Sequence, residues 1–345
     1  MIKHRINRKL FIIIIMLVIF GLFMVYSASN VVALYRYDDK AYFLKRQLIF
    51  AIIGIAIMRK IYKATTYIYV AALIMLILVL IPGIGVVRGG ARSWIGFGSF
   101  SIQPAEFMKL AIILLIAKYL SNHHKDLKKP IEFIKMLILI VSAFGLIMLQ
   151  PDFGTGLVLV VSCILLLFNA GVPLKYFLIL LGLGIIGIIA LIASAPYRLE
   201  RIFAFLDPWS DPLGSGFQSI QSLFAIAPSG LFGLGYNNSM QKHFFLPEPQ
   251  NDFIFAIICE EFGLIGGLLV IGVFLYIVIE AVKISLHVDN KYLKFLSLGI
   301  GLSLFTQVFI NIGVVIGLLP VTGITLPILS YGGSSLVLTL MFLGL

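Results

Sequence analysis

The chain has 345 residues, of which 61% are hydrophobic and 12% charged, and its mean hydropathy is +1.09. Soluble domains sit near half apolar and a quarter charged, so this composition excludes an ordinary soluble protein and points to an integral membrane protein. The net charge of +11 does not read as nucleic-acid binding, because the basic residues fall in short loops beside apolar runs, where they set topology and touch anionic lipid.

A helix needs about 20 apolar residues to cross the hydrocarbon. Such runs recur near 10–29, 43–62, 66–82, 105–121, 134–150, 155–171, 174–194, 252–282, 293–318 and 327–345. The expected fold class is all-α: a polytopic membrane protein with about ten transmembrane helices, in a single domain over residues 1–345. The first run follows Lys3, His4, Arg5, Arg8 and Lys9 and ends at "YSAS". That outline suits a cleaved signal peptide, but the nine runs that follow favour an uncleaved signal anchor.

Arg59, Lys60 and Lys63 follow the second run. Lys118, Lys125, Lys128, Lys129 and Lys135 surround the loop after the fourth, and Lys283, Lys291 and Lys294 flank the loop after the eighth. With ten spans these all share one side with the basic N-terminus, which is then cytoplasmic. The other side has Lys40, Lys45 and Arg46 in its first loop and few cations in its other short loops. The same count puts the long segment of about 195–251 outside. It mixes aromatics, amphipathic stretches and Gly/Pro turns, so short interfacial or re-entrant helices are expected there.

Cys163 and Cys259 lie in apolar runs and read as small buried hydrophobes. His4, His123, His124, His243 and His287 have no metal-ligand spacing. No cofactor and no structural metal are expected.

Ionisable groups in or beside a span are costly in lipid and are functional candidates. Three clusters qualify. The first is "LPEPQNDFIFAIICEEFG", residues 246–263, with Glu248, Asp252, Glu260 and Glu261. Asp252 stands at the head of a span, where the helix dipole and free N–H groups favour a carboxylate. A plain N-cap is one reading, though Asn251 caps equally well. A reactive acid, where the long loop folds back onto the bundle, is the other. Glu260 lies about 12 Å deeper along the helix and reads as packing support.

The second cluster is Glu106 and Lys109 in "SIQPAEFMKL". Three residues apart, they share a helix face and form either a clasp between helices or a polar wall of a substrate cavity. The third is the outer basic set: Arg88, Arg92, Arg198, Arg201 and Lys242. These read as interfacial snorkelling or as a site for a phosphate or pyrophosphate headgroup. "SYGGSS", residues 330–335, offers close helix packing or a backbone approach to substrate. Two function classes fit: an enzyme acting on a lipid-linked phosphate, or a transporter or flippase. A transporter carries ionisable groups deep in several spans, often in repeats. Here the acids gather at one end, which favours the enzyme.

At these same motifs the sequence resembles the SEDS family (shape, elongation, division and sporulation), the FtsW, RodA and SpoVE proteins of bacteria. The matching stretches are "MVYSAS" (24–29), "FLKRQ" (43–47), "GARSWIGFGSFSIQPAEFMKL" (90–110), "QPDFGTG" (150–156), "FLDPWSDPLGSGFQSIQSL" (205–223), "SMQKHFFLPEPQNDFIFAIICEEFG" (239–263) and "NIGVVIGLLPVTGITLPILSYGGSSL" (311–336). "DPW" at 207–209 and "GITLP" at 323–327 look more like the FtsW/SpoVE branch. The chain departs from the family pattern at Ala105, Ala227, Ser229, Asn237 and Asn238, and none of these is an acidic position.

The resemblance implies a peptidoglycan glycosyltransferase of the plasma membrane that polymerises lipid II at the outer face, in division or sporulation. It implies a class B penicillin-binding protein as partner. It places the family's essential aspartate on Asp252, which then serves as general base. Arg198, Arg201 and Lys242 are the expected cations for the leaving pyrophosphate. Glu106, Lys109, Glu248 and Arg92 are expected to shape or bind substrate. A lipid II flippase, or a scaffold that only recruits the penicillin-binding partner, stands as the alternative.

Overall fold

The computed structural model describes residues 7–57, 65–88, 91–97, 100–124, 126–193 and 205–344. Each apolar run of the sequence lies on a helix. These are α1 (Arg8–Tyr37), α2 (Tyr42–Ile57), α3 (Thr65–Leu78), α4 (Pro104–His123), α5 (Pro130–Met148), α6 (Phe153–Asn169) and α7 (Leu174–Ala193), followed by α9 (Ile254–His287), α10 (Lys291–Val315) and α11 (Gly333–Gly344). A short helix, α8 (Phe217–Ile226), lies in the long loop, where the aromatic-amphipathic pattern predicts one. Among the described residues α1, α5, α9 and α10 are long and apolar enough to cross a membrane by length and composition. Four shorter apolar helices accompany them.

Helix ends follow local chemistry. The Asn7 side chain accepts from Leu10 N–H to cap α1, and Asp38 closes it in a left-handed conformation. Asn290 caps α10 in the same way as Asn7, through Tyr292 and Leu293. Two boundaries differ most from the sequence reading. "YSAS" does not end the first helix, which runs on to Tyr37, because Ser27, Ala28, Ser29 and Asn30 are buried against other elements. The last helix starts at Gly333 and not at 327, because Pro327 and a left-handed Ile328 (φ 68°) keep the preceding segment irregular.

Three strands were not foreseen. β1 (Gly85–Arg88), β2 (Ala91–Phe97) and β3 (Phe100–Ile102) form an antiparallel sheet in that order between α3 and α4. Gly85 pairs with Ile95 and Ile95 with Ile102, with a bulge between Val86 and Val87. The signal was present as Gly89-Gly90 and Gly98-Ser99 between short β-prone runs.

Contacts at the helix ends show how the bundle alternates. Asn7 at the start of α1 donates to Glu280 near the end of α9. The Tyr292 and Thr65 hydroxyls meet at the starts of α10 and α3. Lys291 meets His124, just beyond α4. This is the basic face. The sheet, the loop from residue 205 onward and the start of α9 lie at the other ends of the helices, on what we term the loop face. Two apolar cores fill the bundle, one around α1 and α9, the other around α3 to α6. α10 and α11 belong to both: Leu304 and Val308 face one core, Leu296 and Ile300 the other. α4 is buried along nearly its whole length, so its charged residues must find partners inside the protein.

Candidate functional site

Asp252 lies on the loop face, two residues before α9. It does not cap that helix: Phe253 holds the N-cap position, without a side-chain cap. Asn251 does not cap it either, and its side-chain N–H donates to Glu248 Oε2 at 2.6 Å. Asp252 is half-buried. Burial pushes its carboxyl up to about 7; its own backbone N–H opposes the shift, and the charge of Glu248 adds to it. Among the described residues it is the one carboxylate that is neither exposed nor held by another residue.

The main chain at Asp252 is firmly held. Asn311 of α10, 1% exposed, donates from one Nδ2 to the Asp252 carbonyl and to the Ile324 carbonyl, both at 2.7 Å. Two carbonyl partners fix the amide orientation, because only an N–H can serve them. One turn earlier on α10, Gln307 donates to the next carbonyl, Thr325, at 3.0 Å and accepts from Lys109 Nζ at 2.7 Å. Lys109 in turn pairs with Glu106 at 2.8 Å, and Ser335 donates to Glu106. A continuous polar ladder therefore joins α11 and α4 to the irregular 322–327 segment and to Asp252. Sequence reasoning missed Gln307 and Asn311. Their four-residue spacing in an apolar helix was the available signal.

Glu106 and Lys109 sit beside a cavity of about 30 Å³, which Ser303, Gln307 and Thr339 also line. That volume admits water but no sugar. The pair is a clasp between α4, α10 and α11. Another acid, Asp152, caps α6 through Thr155 N–H and accepts from Gln103 at 2.7 Å. Burial raises its pKa. It stands in "QPDFGTG" and was not among the expected site residues.

Glu260 and Glu261 organise the loop that precedes Asp252. Glu260 accepts from the Ser239 hydroxyl and from Met240 N–H at 2.8 Å. Glu261 accepts from the Ser27 hydroxyl of α1 and lies 3.7 Å from Lys242 Nζ. Lys242, expected among the outward cations, is 2% exposed and donates to the Asn237 carbonyl and side-chain oxygen, both at 2.6 Å. Burial pulls its pKa down while Glu261 opposes the fall. Its ammonium is turned inward because the carboxylate of Glu261, inside the bundle, needs a cation.

The other expected residues are dispersed. Glu248 is exposed, with a left-handed backbone (φ 46°), and is engaged by Asn251. Arg92 is half-buried on β2. Arg88 closes β1, and its side chain lies outside the described residues; Arg198 and Arg201 lie outside them entirely. In "SYGGSS", Gln47 donates to the Ser330 carbonyl and accepts from Gly332 N–H, while Tyr331 N–H donates to the Gln250 carbonyl. The motif thus packs against the Asp252 loop. Among the described residues no three His, Cys, Asp or Glu side chains gather as a metal site, and both cysteines are free and buried.

A family model described as cell cycle protein, covering FtsW, RodA and SpoVE, matches residues 7–345. The chain is 51% identical to stage V sporulation protein E of Bacillus subtilis (strain 168), over 97% of this chain and 94% of that one. It is 39% identical to a probable peptidoglycan glycosyltransferase FtsW of Saccharophagus degradans, over 97% and 90%. Among solved structures, it matches with TM-score 0.80 and 29% identity a chain from work described as "Structural coordination of polymerization and crosslinking by a peptidoglycan synthase complex", over 98% of this chain and 95% of that one. The crystal structure of Thermus thermophilus rod shape determining protein RodA matches with TM-score 0.72 and 25% identity, over 99% and 95%.

Proposed function

The chain belongs to the SEDS family of cell cycle proteins, in its FtsW/SpoVE branch, and from that premise we propose that it is a peptidoglycan glycosyltransferase that polymerises lipid II with Asp252 as general base. The observation that carries this is the carboxylate of Asp252, which no other described residue holds. The other buried or half-buried acids among the described residues are tied to a partner. A base must keep its lone pairs available for the proton that it abstracts, and it works best with a pKa near the ambient pH. Asp252, at about 7, has both properties.

The chemistry runs as a single displacement. The acceptor's sugar hydroxyl attacks the anomeric carbon of the donor and gives its proton to Asp252. The bond to the lipid pyrophosphate breaks, and that carbon inverts from α to β. Negative charge grows on the leaving pyrophosphate and needs cations already in place. Arg92, Arg198 and Arg201 are the side chains we assign to it. Lys242, turned toward Glu261, is assigned to holding the loop. Glu106 and Lys109 brace the site through the ladder, and Glu248 tunes Asp252 by its charge. The loop face is the outer face of the plasma membrane, with the N-terminus cytoplasmic, an orientation supported by the lysines and arginines of the basic face. Substrate tails stay in lipid while their sugars reach Asp252. A class B penicillin-binding protein is the partner, a reading supported by the likeness to a chain from the polymerization and crosslinking complex.

The test is glycan-chain formation from purified lipid II, with wild type and Asp252→Asn each reconstituted with the penicillin-binding partner. Polymer from wild type and none from the variant is expected. Equal polymer from both sinks Asp252 as base. No polymer from either, with the partner bound, turns the reading toward a flippase or a scaffold.

A further inference from the structure

Asp252 carries the reactive carboxylate on a main chain that no helix secures, because α9 begins only at Ile254. A carboxylate used as a base must be held within about half an ångström of its productive place. The hold on this residue comes from α10. Asn311 Nδ2 is bound to the Asp252 carbonyl and the Ile324 carbonyl at once.

Ordinary packing does not account for Asn311. The side chain is 1% exposed in an apolar helix, and its Oδ1 is buried with no hydrogen-bond partner among the described residues. Such an orphaned acceptor is unfavourable. An apolar residue of similar size would avoid that cost but would leave two carbonyls loose. The amide is therefore suited to one task, joining two irregular segments: the turn at 251–253 and the stretch at 322–327. Gln307 does the equivalent one turn along α10, where it joins Thr325 to Lys109.

We propose that Asn311 is a positioning residue for glycosyl transfer: it locks the Asp252 main chain to the Ile324 carbonyl and so sets where the catalytic carboxylate stands. The proposal rests on Asp252 acting as base. It makes the 322–327 segment part of the catalytic apparatus, although none of its side chains need touch substrate. Asn311 touches no reacting atom and acts only through Asp252.

The experiment measures lipid II polymerisation by the full chain with its penicillin-binding partner, over a range of lipid II concentrations. Asn311→Ala and the isosteric Asn311→Asp are compared with wild type and Asp252→Asn. Asn311→Asp presents oxygens to both carbonyls and, ionised, donates to neither. Both Asn311 variants are expected to lose at least tenfold in kcat, with KM within threefold and partner co-purification unchanged, the loss persisting at temperatures well below a lowered melting point, since two buried carbonyls lose their donor. Wild-type kcat in either folded variant overturns the proposal. So does a parallel fall of kcat, partner binding and melting temperature, or failure of both variants to fold, since these mark a structural role alone. The Asp252→Asn arm separates the two readings: activity there sinks the general base, whereas a dead Asp252→Asn beside a fully active Asn311→Ala sinks only Asn311.

Discussion

Gly233 of the long loop lies backbone to backbone against Gly263, where α9 is broken. A Cβ on Gly233 would stand 2.4 Å from the Glu261 carbonyl carbon, and one on Gly263 would stand 2.4 Å from that of Leu231. Gly263 has φ 66° and ψ −165°, a region that only glycine occupies without strain. The break frees the Glu260 and Glu261 carbonyls, which accept instead from Leu234 and Gly235 N–H at 2.9 Å. The Leu264 and Ile265 N–H groups donate to Gly230 and Leu231 in return. The loop thus restores the hydrogen bonds that the broken helix lost. Gly263→Ala introduces both strain and a clash and is expected to cost about 3 kcal/mol. A lower unfolding temperature of the purified protein is the check, with earlier proteolysis of the 230–251 loop.

The acid limb of the rate against pH should lie near 7, with activity falling about tenfold per unit well below it, because burial raises Asp252 to about 7. Glu248→Gln removes a charge that raises this group further and is expected to move the limb to lower pH. The stability sign follows from the same shift. A folded-state pKa above the unfolded value means that the folded protein holds a proton between about 4 and 7 that the unfolded chain has lost. The contribution of Asp252 to stability therefore declines as pH rises through that window. Asp252→Asn lacks this dependence, so its melting temperature should gain on the wild type from pH 5 to pH 8.

The Glu106–Lys109 clasp is buried, and removing one partner strands the other. Glu106→Gln or Lys109→Met alone is expected to destabilise by about 3–5 kcal/mol. The double variant should recover most of that loss, read as thermal unfolding of the four proteins of the cycle. Activity should stay low in the double variant if the ladder to Asp252 matters beyond stability.

Lys242 gives a contrast between holding the loop and binding pyrophosphate. Lys242→Met keeps the volume but leaves Glu261 without its cation, so stability should fall by about 3 kcal/mol. Adding Glu261→Gln should restore it. A raised KM for lipid II with unchanged stability would instead place Lys242 at the substrate.

Membrane residence, the helical class and the position of Asp252 beside the bundle were all legible in the sequence. Burial of apolar side chains in lipid is close to additive along a helix, so runs such as 134–150 and 293–318 reveal themselves one residue at a time. Short-range signals were less well used. The Gly89-Gly90 and Gly98-Ser99 pairs mark the sheet in a stretch that the apolar runs leave unassigned, and Pro327 marks the late start of α11 inside a stretch whose apolar character reads as helix.

What only the tertiary structure decided is which polar groups are taken and which are free. Composition gave Lys242, Glu106 and Asp252 the same standing as ionisable groups near a membrane surface. Their roles separated only through partners far away in the chain: Ser27 with Glu261 across 234 residues, Lys109 with Gln307 across 198, Asn311 with Asp252 across 59. Apolar burial depends on a residue's own chemistry and its local period, whereas satisfying a buried donor or acceptor needs one specific atom within about 3 Å. No local pattern encodes that atom, so the sequence could nominate Asp252, but the fold alone left its carboxylate without another partner among the described residues and put Asn311 behind it.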